Sequence, residues 1–162
     1  LSSISSAFST YAKMPAQQDE TLNVVKISKL ALDIFNEDYI YFFSEEEEVR
    51  ARFDRTQLIR VVTNLVKNSI QSIEQKNPAE PRIDVIVKTE GTLVNILVTD
   101  NGIGVPEENK IFIFEPQFTT KTSGMGLGLG MVKNIVETYG GTITLASSEE
   151  KTIFKVSFPA ML

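Results

Sequence analysis

The sequence predicts an α+β domain in which helices cover one face of a mixed or antiparallel sheet. Strand-like runs cluster between helical runs instead of alternating strictly with them, the ordering of an α+β layer and not of a doubly wound parallel sheet. At 162 residues and 42% hydrophobic, the chain supports one core and is short for two. Glycine or proline closes the main runs at lengths suited to a helix or a strand.

Leu1, Ile4, Phe8 and Tyr11 fall at helical spacing and Pro15 stops the pattern, so residues 1–13 read as the end of a helix whose apolar face needs a partner. Residues 15–20 are linker-like. Val24, Ile27, Leu30, Ala31 and Ile34 form a helical stripe, with Asn23 as N-cap. Tyr39 to Phe43 and Val49 to Phe53 are short strand candidates on either side of Glu45–Glu48, a charge run that reads as a solvated turn. Asp54 is the expected N-cap of a long helix reaching about Gln75, with Leu58, Val61, Val62, Leu65, Val66, Ser69 and Ile73 on one face and Pro78 and Pro81 beyond its end. Strands follow over Arg82 to Thr89 and Leu93 to Asp100, joined by a turn at Glu90-Gly91-Thr92. A polar stretch leads to a helix from Gly126 to Tyr139, capped by Gly140-Gly141, and Thr142 to Ser147 with Thr152 to Phe158 make a last hairpin.

A formal charge of −5 leaves no basic footprint for nucleic acid, and no run approaches the roughly 18 apolar residues of a membrane span. The chain reads as a soluble cytoplasmic segment without membrane contact of its own. It contains no cysteine and no histidine, which removes thiolate metal sites, disulfides and both Ser-His-Asp and Cys-His catalysis. Because it starts at Leu1 without a signal pattern, it reads as a piece of a longer protein whose sensor or membrane anchor lies elsewhere.

Three constellations point to chemistry. Asn64 and Asn68 sit one turn apart at the edge of an apolar helical stripe, with Gln71 on the same side. Asparagine is a poor helix-interior residue, and its amide oxygen is a hard neutral ligand suited to Mg²⁺ that takes other ligands from phosphates. Two solvated residues on a helix edge would look the same. Asp100 ends a strand, where a buried carboxylate needs a donor such as the exocyclic amine of adenine, and Gly102 and Gly104 offer side-chain-free backbone for a flat base. Asp-Asn-Gly is also simply a turn sequence. Gly124 to Gly130 precedes a helix, so its amides can hold anionic phosphates, although it matches neither a Walker A loop nor Gly-x-Gly-x-x-Gly. Between these glycine-hinged ends, Ile111, Phe112, Ile113, Phe114, Phe118 and Lys121 lie in a polar stretch laid out as a mobile lid over a nucleotide. Its phenylalanines suit packing on their own domain as well as on a partner, and Lys121 can meet phosphates as a point charge.

In order, Asn64-Leu-Val-Lys-Asn68, Asp100-x-Gly-x-Gly, Phe114-Glu-Pro-x-Phe-Thr-Thr-Lys121 and Gly126-Leu-Gly-Leu resemble the N, G1, F and G2 boxes of sensor histidine kinases, over roughly residues 54–158. Phe8-Ser-x-Tyr-Ala-Lys-Met-Pro15 resembles the end of the dimerisation helix in kinases of the nitrogen-regulation type. The resemblance implies the Bergerat two-layer α/β sandwich, and ATP or ADP with Mg²⁺ as ligands. It assigns Asn68 to Mg²⁺ with Asn64 beside the phosphates. Asp100 goes to the adenine amine, with Gly102 and Gly104 at the base, and Phe118, Thr120, Lys121, Gly126, Leu127, Gly128 and Leu129 line the nucleotide. Asn64, Asn68 and Lys121 carry the catalytic positioning. The implied activity is transfer of the γ-phosphoryl group to a histidine outside this chain, with the dimerisation and phosphotransfer helices and a response regulator receiver domain as partners. The implied organisation is a helix end at 1–14, a linker at 15–20 and the ATP-binding domain at 21–162. This chain departs from the relatives that hydrolyse ATP, which carry Glu at the position of Asn64, and from many kinases at Gln71 and Ser72, where a basic residue and a Tyr over the base are common. A gyrase-like or chaperone-like ATPase and a nucleotide-binding scaffold of a degenerate kinase are the alternatives.

Overall fold

A computed structural model describes residues 16–115 and 125–161, with the backbone alone for 125–127. The expected helix at 1–13 and Phe118, Thr120 and Lys121 lie outside the described residues. In chain order the elements are β1 (Asp19–Asn23), α1 (Val24–Ala31), β2 (Ile40–Phe43), β3 (Arg50–Asp54), α2 (Arg55–Lys76), β4 (Ile83–Glu90), β5 (Leu93–Asp100), α3 (Met125–Thr138), β6 (Thr142–Ser147) and β7 (Thr152–Pro159).

Five strands form one sheet in the order β2-β4-β5-β7-β6, and β1 pairs with β3 in a separate two-stranded ribbon. The sheet is mixed. β2 runs parallel to β4, with Ile40 opposite Ile83, because β3 and α2 intervene as a crossover, whereas the other neighbours are antiparallel. Alternation along the strands sends Val85, Val87, Ile96, Val98, Phe154 and Val156 to the covered face, where they meet Val61, Val62, Leu65 and Val66 of α2 and Val132 and Val136 of α3. The two-layer arrangement of helices on one face of a mixed sheet is the one the sequence predicts.

Local signals explain the element boundaries. Asn23 caps α1 by accepting from Val25 N at 3.1 Å and also accepts from Val49 N at 3.1 Å, while Asp54 caps α2 by accepting from Gln57 N at 3.0 Å. The loop between β4 and β5 is Gly91-Thr92, with Gly91 at φ +61 supplying the positive φ of a tight hairpin turn. At the end of α3, Gly140 N donates to Glu137 O at 3.0 Å and Gly141 N to Val136 O at 2.9 Å, the bond pair of a Schellman cap.

Two expectations need correction. Asp19 and Glu20 belong to β1, not to a linker; only Leu22 of that strand is buried, so the strand exists through its pairing with β3, Thr21 opposite Arg52, and carries little periodic signal of its own. Of the expected helical stripe, Leu30 in α1 and Ile34 beyond it are 46% and 62% exposed, and Val25 and Ser28 lie on the buried face of α1. Leu30 stands roughly 120° around the helix from Val24. Ile34 is rotated out of line where Leu32–Ile34 tightens to a 3-10 turn.

A polar knot joins the start of the domain to both long helices. Tyr139 stacks on Phe53 with ring centroids 3.8 Å apart, accepts from Asp54 N at 3.0 Å and donates to Asp19 Oδ1 at 2.6 Å. Gln18 N in turn donates to Asp54 Oδ2 at 2.7 Å. Burial, then the bond to Asp19, raises the Tyr139 pKa well above its ordinary value, and the same bond lowers that of Asp19. Tyr139→Phe keeps the stack but leaves the Asp54 N–H without its acceptor, so the urea midpoint is expected to fall by the equivalent of about 1 kcal/mol. An unchanged midpoint would remove the knot from the account of stability.

Candidate functional site: a crevice between α2, α3 and the end of β5

Asp100 is the last residue of β5 and only 2% exposed. Its Oδ1 accepts from Gly102 N at 2.8 Å, so the carboxylate folds the following turn back on itself. Burial is the main influence on its pKa and raises it; the Gly102 N–H and the nearby Ser69 and Ser72 hydroxyls oppose the shift. Ser69 Oγ nevertheless has no hydrogen-bond partner of good geometry among the described residues, and neither does Thr152 Oγ1, although Thr152 pairs with Asp100 across the sheet. A buried carboxylate among hydroxyls with bonding capacity left over is suited to a polar, donor-bearing ligand.

Gly102 is required for a reason the sequence does not show. A Cβ there would run into Ser72 Oγ and the Ser72 carbonyl carbon and lie 2.6 Å from Ile73 N, so the turn is pressed onto the backbone of α2. Gly104 has φ +76, a conformation that favours glycine. Ile103 N donates to Ser72 O at 3.0 Å and Gly104 N to Ser72 Oγ at 3.3 Å. Asn101 secures the other side of the turn, accepting from Arg82 N at 2.9 Å and donating to Glu80 O at 2.7 Å. The expected hinge at Gly102 and Gly104 is therefore a clamp.

Along α2, Asn68 is 5% exposed and its Nδ2 has no partner among the described residues. Asn64, one turn earlier, donates from Nδ2 to Arg60 O at 2.7 Å, and its Oδ1 lies 3.5 Å from where a Cβ on Gly128 would sit. The first turn of α3 thus passes within van der Waals reach of Asn64, a spacing that a Cβ at position 128 would also fit. Gly126 and Leu127 lie in that turn, and Leu129 is 1% exposed in the core, so any contact of Leu129 with a ligand falls to its backbone. The residues present fit the phosphates of an Mg²⁺-bound nucleotide: the buried Asn68 amide keeps a donor for a phosphate oxygen, and the amide oxygens of Asn68 and Asn64 are neutral ligands of the kind Mg²⁺ takes. No group of three or more acidic, histidine or cysteine side chains stands ready to hold a metal among the described residues, so phosphate oxygens and water would complete the shell.

The first half of the expected lid is anchored. Ile113 is buried, and the half-buried Phe114 packs edge-on to Phe154 with centroids 6.3 Å apart, so these two pack on their own domain. Burial against an existing core is the cheaper place for an apolar side chain than a solvated loop. Ile111 and Phe112 remain exposed.

Residues 53–161 match the family described as histidine kinase-, DNA gyrase B-, and HSP90-like ATPase. The chain belongs to this family. It is 30% identical to the nitrogen regulation protein NtrY of Azorhizobium caulinodans over 149 residues, 88% of this chain and 19% of that protein. The chain spans about a quarter or less of the length of the curated relatives it matches. The solved catalytic domain of the histidine kinase ThkA superposes with a TM-score of 0.77 at 30% identity, covering 88% of this chain and 95% of that domain. ThkA in complex with the response regulator protein TrrA superposes with a TM-score of 0.76 at 27% identity, covering 99% of this chain and 47% of that one. The fold of this ATPase-family chain is that of histidine kinase catalytic domains. Among its described residues, no helix is long and apolar enough to cross a membrane.

Asn101 is a site-building residue that the sequence does not single out, and Ser72, which the sequence marks only as a departure at the position over the base, builds the site from behind. Ser72 follows Ser69 by one turn on the buried stripe, and that spacing was the available signal.

Proposed function

We propose that this chain is the ATP-binding catalytic domain of a two-component sensor histidine kinase, presenting the γ-phosphoryl group of ATP to a histidine supplied from outside it. The observation that carries this reading is the alignment of a buried carboxylate and a buried, underbonded amide along one helix: Asp100 abuts Ser69 and Ser72 of α2, and Asn68 precedes Ser69 on the same helix. Asp100 accepts the amine of adenine, while Asn64, Asn68 and the backbone of Gly126, Gly128 and Leu129 hold the phosphates, with Lys121, Thr120 and Phe118 closing from the lid. Asn68 would hold Mg²⁺ together with the phosphates, and the ion would supply charge neutralisation there. Catalysis by these residues is positioning and charge neutralisation, leaving the phosphorus open to in-line attack by an imidazole nitrogen.

Residues 1–14 belong to the dimerisation and phosphoacceptor helix in this reading, and the linker is short because Asp19 already lies in β1. The knot of Gln18, Asp54 and Tyr139 then fixes where that linker enters the domain. A response regulator receiver domain is the downstream partner, a reading supported by the likeness to ThkA in its complex with TrrA.

The test is calorimetry of ADP and ATP with and without Mg²⁺. Asn68→Ala is expected to weaken binding about tenfold or more when Mg²⁺ is present, a loss of about 1.4 kcal/mol, and much less in its absence. Equal losses under both conditions would take the metal away from Asn68.

A further inference from the structure

We infer that Ser72 is a positioning residue for base selection, its hydroxyl holding the Asp100–Gly104 turn so that the Asp100 carboxylate faces the adenine amine. The inference rests on the proposed role of Asp100 and adds the residue through which that role is set. Two hydrogen bonds and a steric stop converge on this one residue. Ser72 O accepts from Ile103 N at 3.0 Å, and Ser72 Oγ accepts from Gly104 N at 3.3 Å. The Ser72 side chain and carbonyl also occupy the space where a Cβ on Gly102 would be, so the serine fits a turn that only glycine can make there. Gly102 N in turn donates to Asp100 Oδ1 at 2.8 Å.

The chain of dependence is short. With Oδ1 committed to Gly102, the direction of the second carboxylate oxygen follows from where Gly102 sits, and Gly102 sits where α2 stops it. Ser72 is itself buried, so its hydroxyl is not replaced by solvent at low cost. The Asn101 side chain ties the outer side of the turn to Glu80 and Arg82, and its hydrogen bonds go to those two residues, not to Gly102 or Gly104. Ser72 is thus the side chain of α2 that bonds the glycine segment directly. At this position the chain uses a small hydroxyl to hold the wall of the base pocket from behind, in place of an aromatic ring laid over the base.

The inference separates from a merely structural role by comparing two ligands. ATP and purine riboside triphosphate differ only in the 6-amino group, so the ratio of their affinities reports how well Asp100 meets that amine. The full 162-residue chain is expected to prefer ATP by about tenfold or more. In Ser72→Ala the preference is expected to shrink by about three- to tenfold, chiefly through weaker ATP binding, with little change for the analogue. Thermal melting of both proteins without nucleotide checks that the variant is folded, and Ser72→Thr, which keeps the hydroxyl, is expected to retain more of the preference than Ser72→Ala. If Ser72→Ala weakens both ligands equally, or neither, Ser72 does not position the carboxylate and the inference is overturned. If the unaltered chain shows no preference for ATP over the analogue, the role of Asp100 itself fails, and the inference goes with it.

Discussion

Incubated with radiolabelled ATP, the chain is expected to acquire no stable phosphoryl label, because it has no histidine to receive one. Phosphate release is expected to be slow as well. Position 64 is an asparagine whose Nδ2 is committed to Arg60 O, so it offers no carboxylate to take a proton from an attacking water. On the proposed function, joining the chain to a phosphotransfer helix that carries a histidine should change the first outcome from none to readily detectable labelling of that histidine, without changing the second. Rapid hydrolysis by the 162-residue chain alone would overturn the kinase reading and favour a gyrase-like ATPase.

Asp100→Asn is expected to make the nucleotide-free domain more stable and its nucleotide recognition worse. The folded-state pKa of Asp100 is raised, with burial as the leading cause, so the stability associated with its neutral form is present at low pH and lost as pH rises through the raised value. At neutral pH the carboxylate therefore costs the empty domain stability. Asparagine removes that cost and still offers Gly102 N an oxygen. A gain of about 1 kcal/mol, or roughly 2–4 °C in melting temperature, is the expected size. The gain over the unaltered chain should fade as pH falls and Asp100 becomes neutral.

Recognition should move the other way. With its oxygen held by Gly102, the asparagine presents Nδ2 outward, donor against donor for the amine of adenine and donor against acceptor for the carbonyl of guanine. The preference for ATP over GTP is expected to narrow by about one to two decades, following the roughly 1–3 kcal/mol cost of a mispaired buried group. Competition binding with both nucleotides, alongside melting curves, reads the two effects. A lower melting temperature together with an undiminished preference for ATP would sink the assignment.

Much of this protein is determined locally and is therefore visible in the sequence. Asn23 and Asp54 announce helix starts because a short side-chain acceptor satisfies N–H groups only a few residues away. Gly91 and Gly140 mark turns because positive φ is a property of the residue itself. The stripe of α2 and the ordered boxes around Asn64, Asn68 and Asp100 are likewise short-range patterns, enough for the fold class and for the nucleotide reading. What only the tertiary structure decided involves partners far apart in the chain. Strand β1 is too polar to announce itself and is held by pairing with β3. Leu129 reads as part of a phosphate loop but is turned into the core. Phe114, open in sequence to a partner, finds Phe154. Tyr139 binds Asp19 from 120 positions away, and Gly102 is a glycine because Ser72 and Ile73 of another element stand against it. Such contacts depend on the direction in which packed layers bring distant segments together, a quantity that no local periodicity encodes.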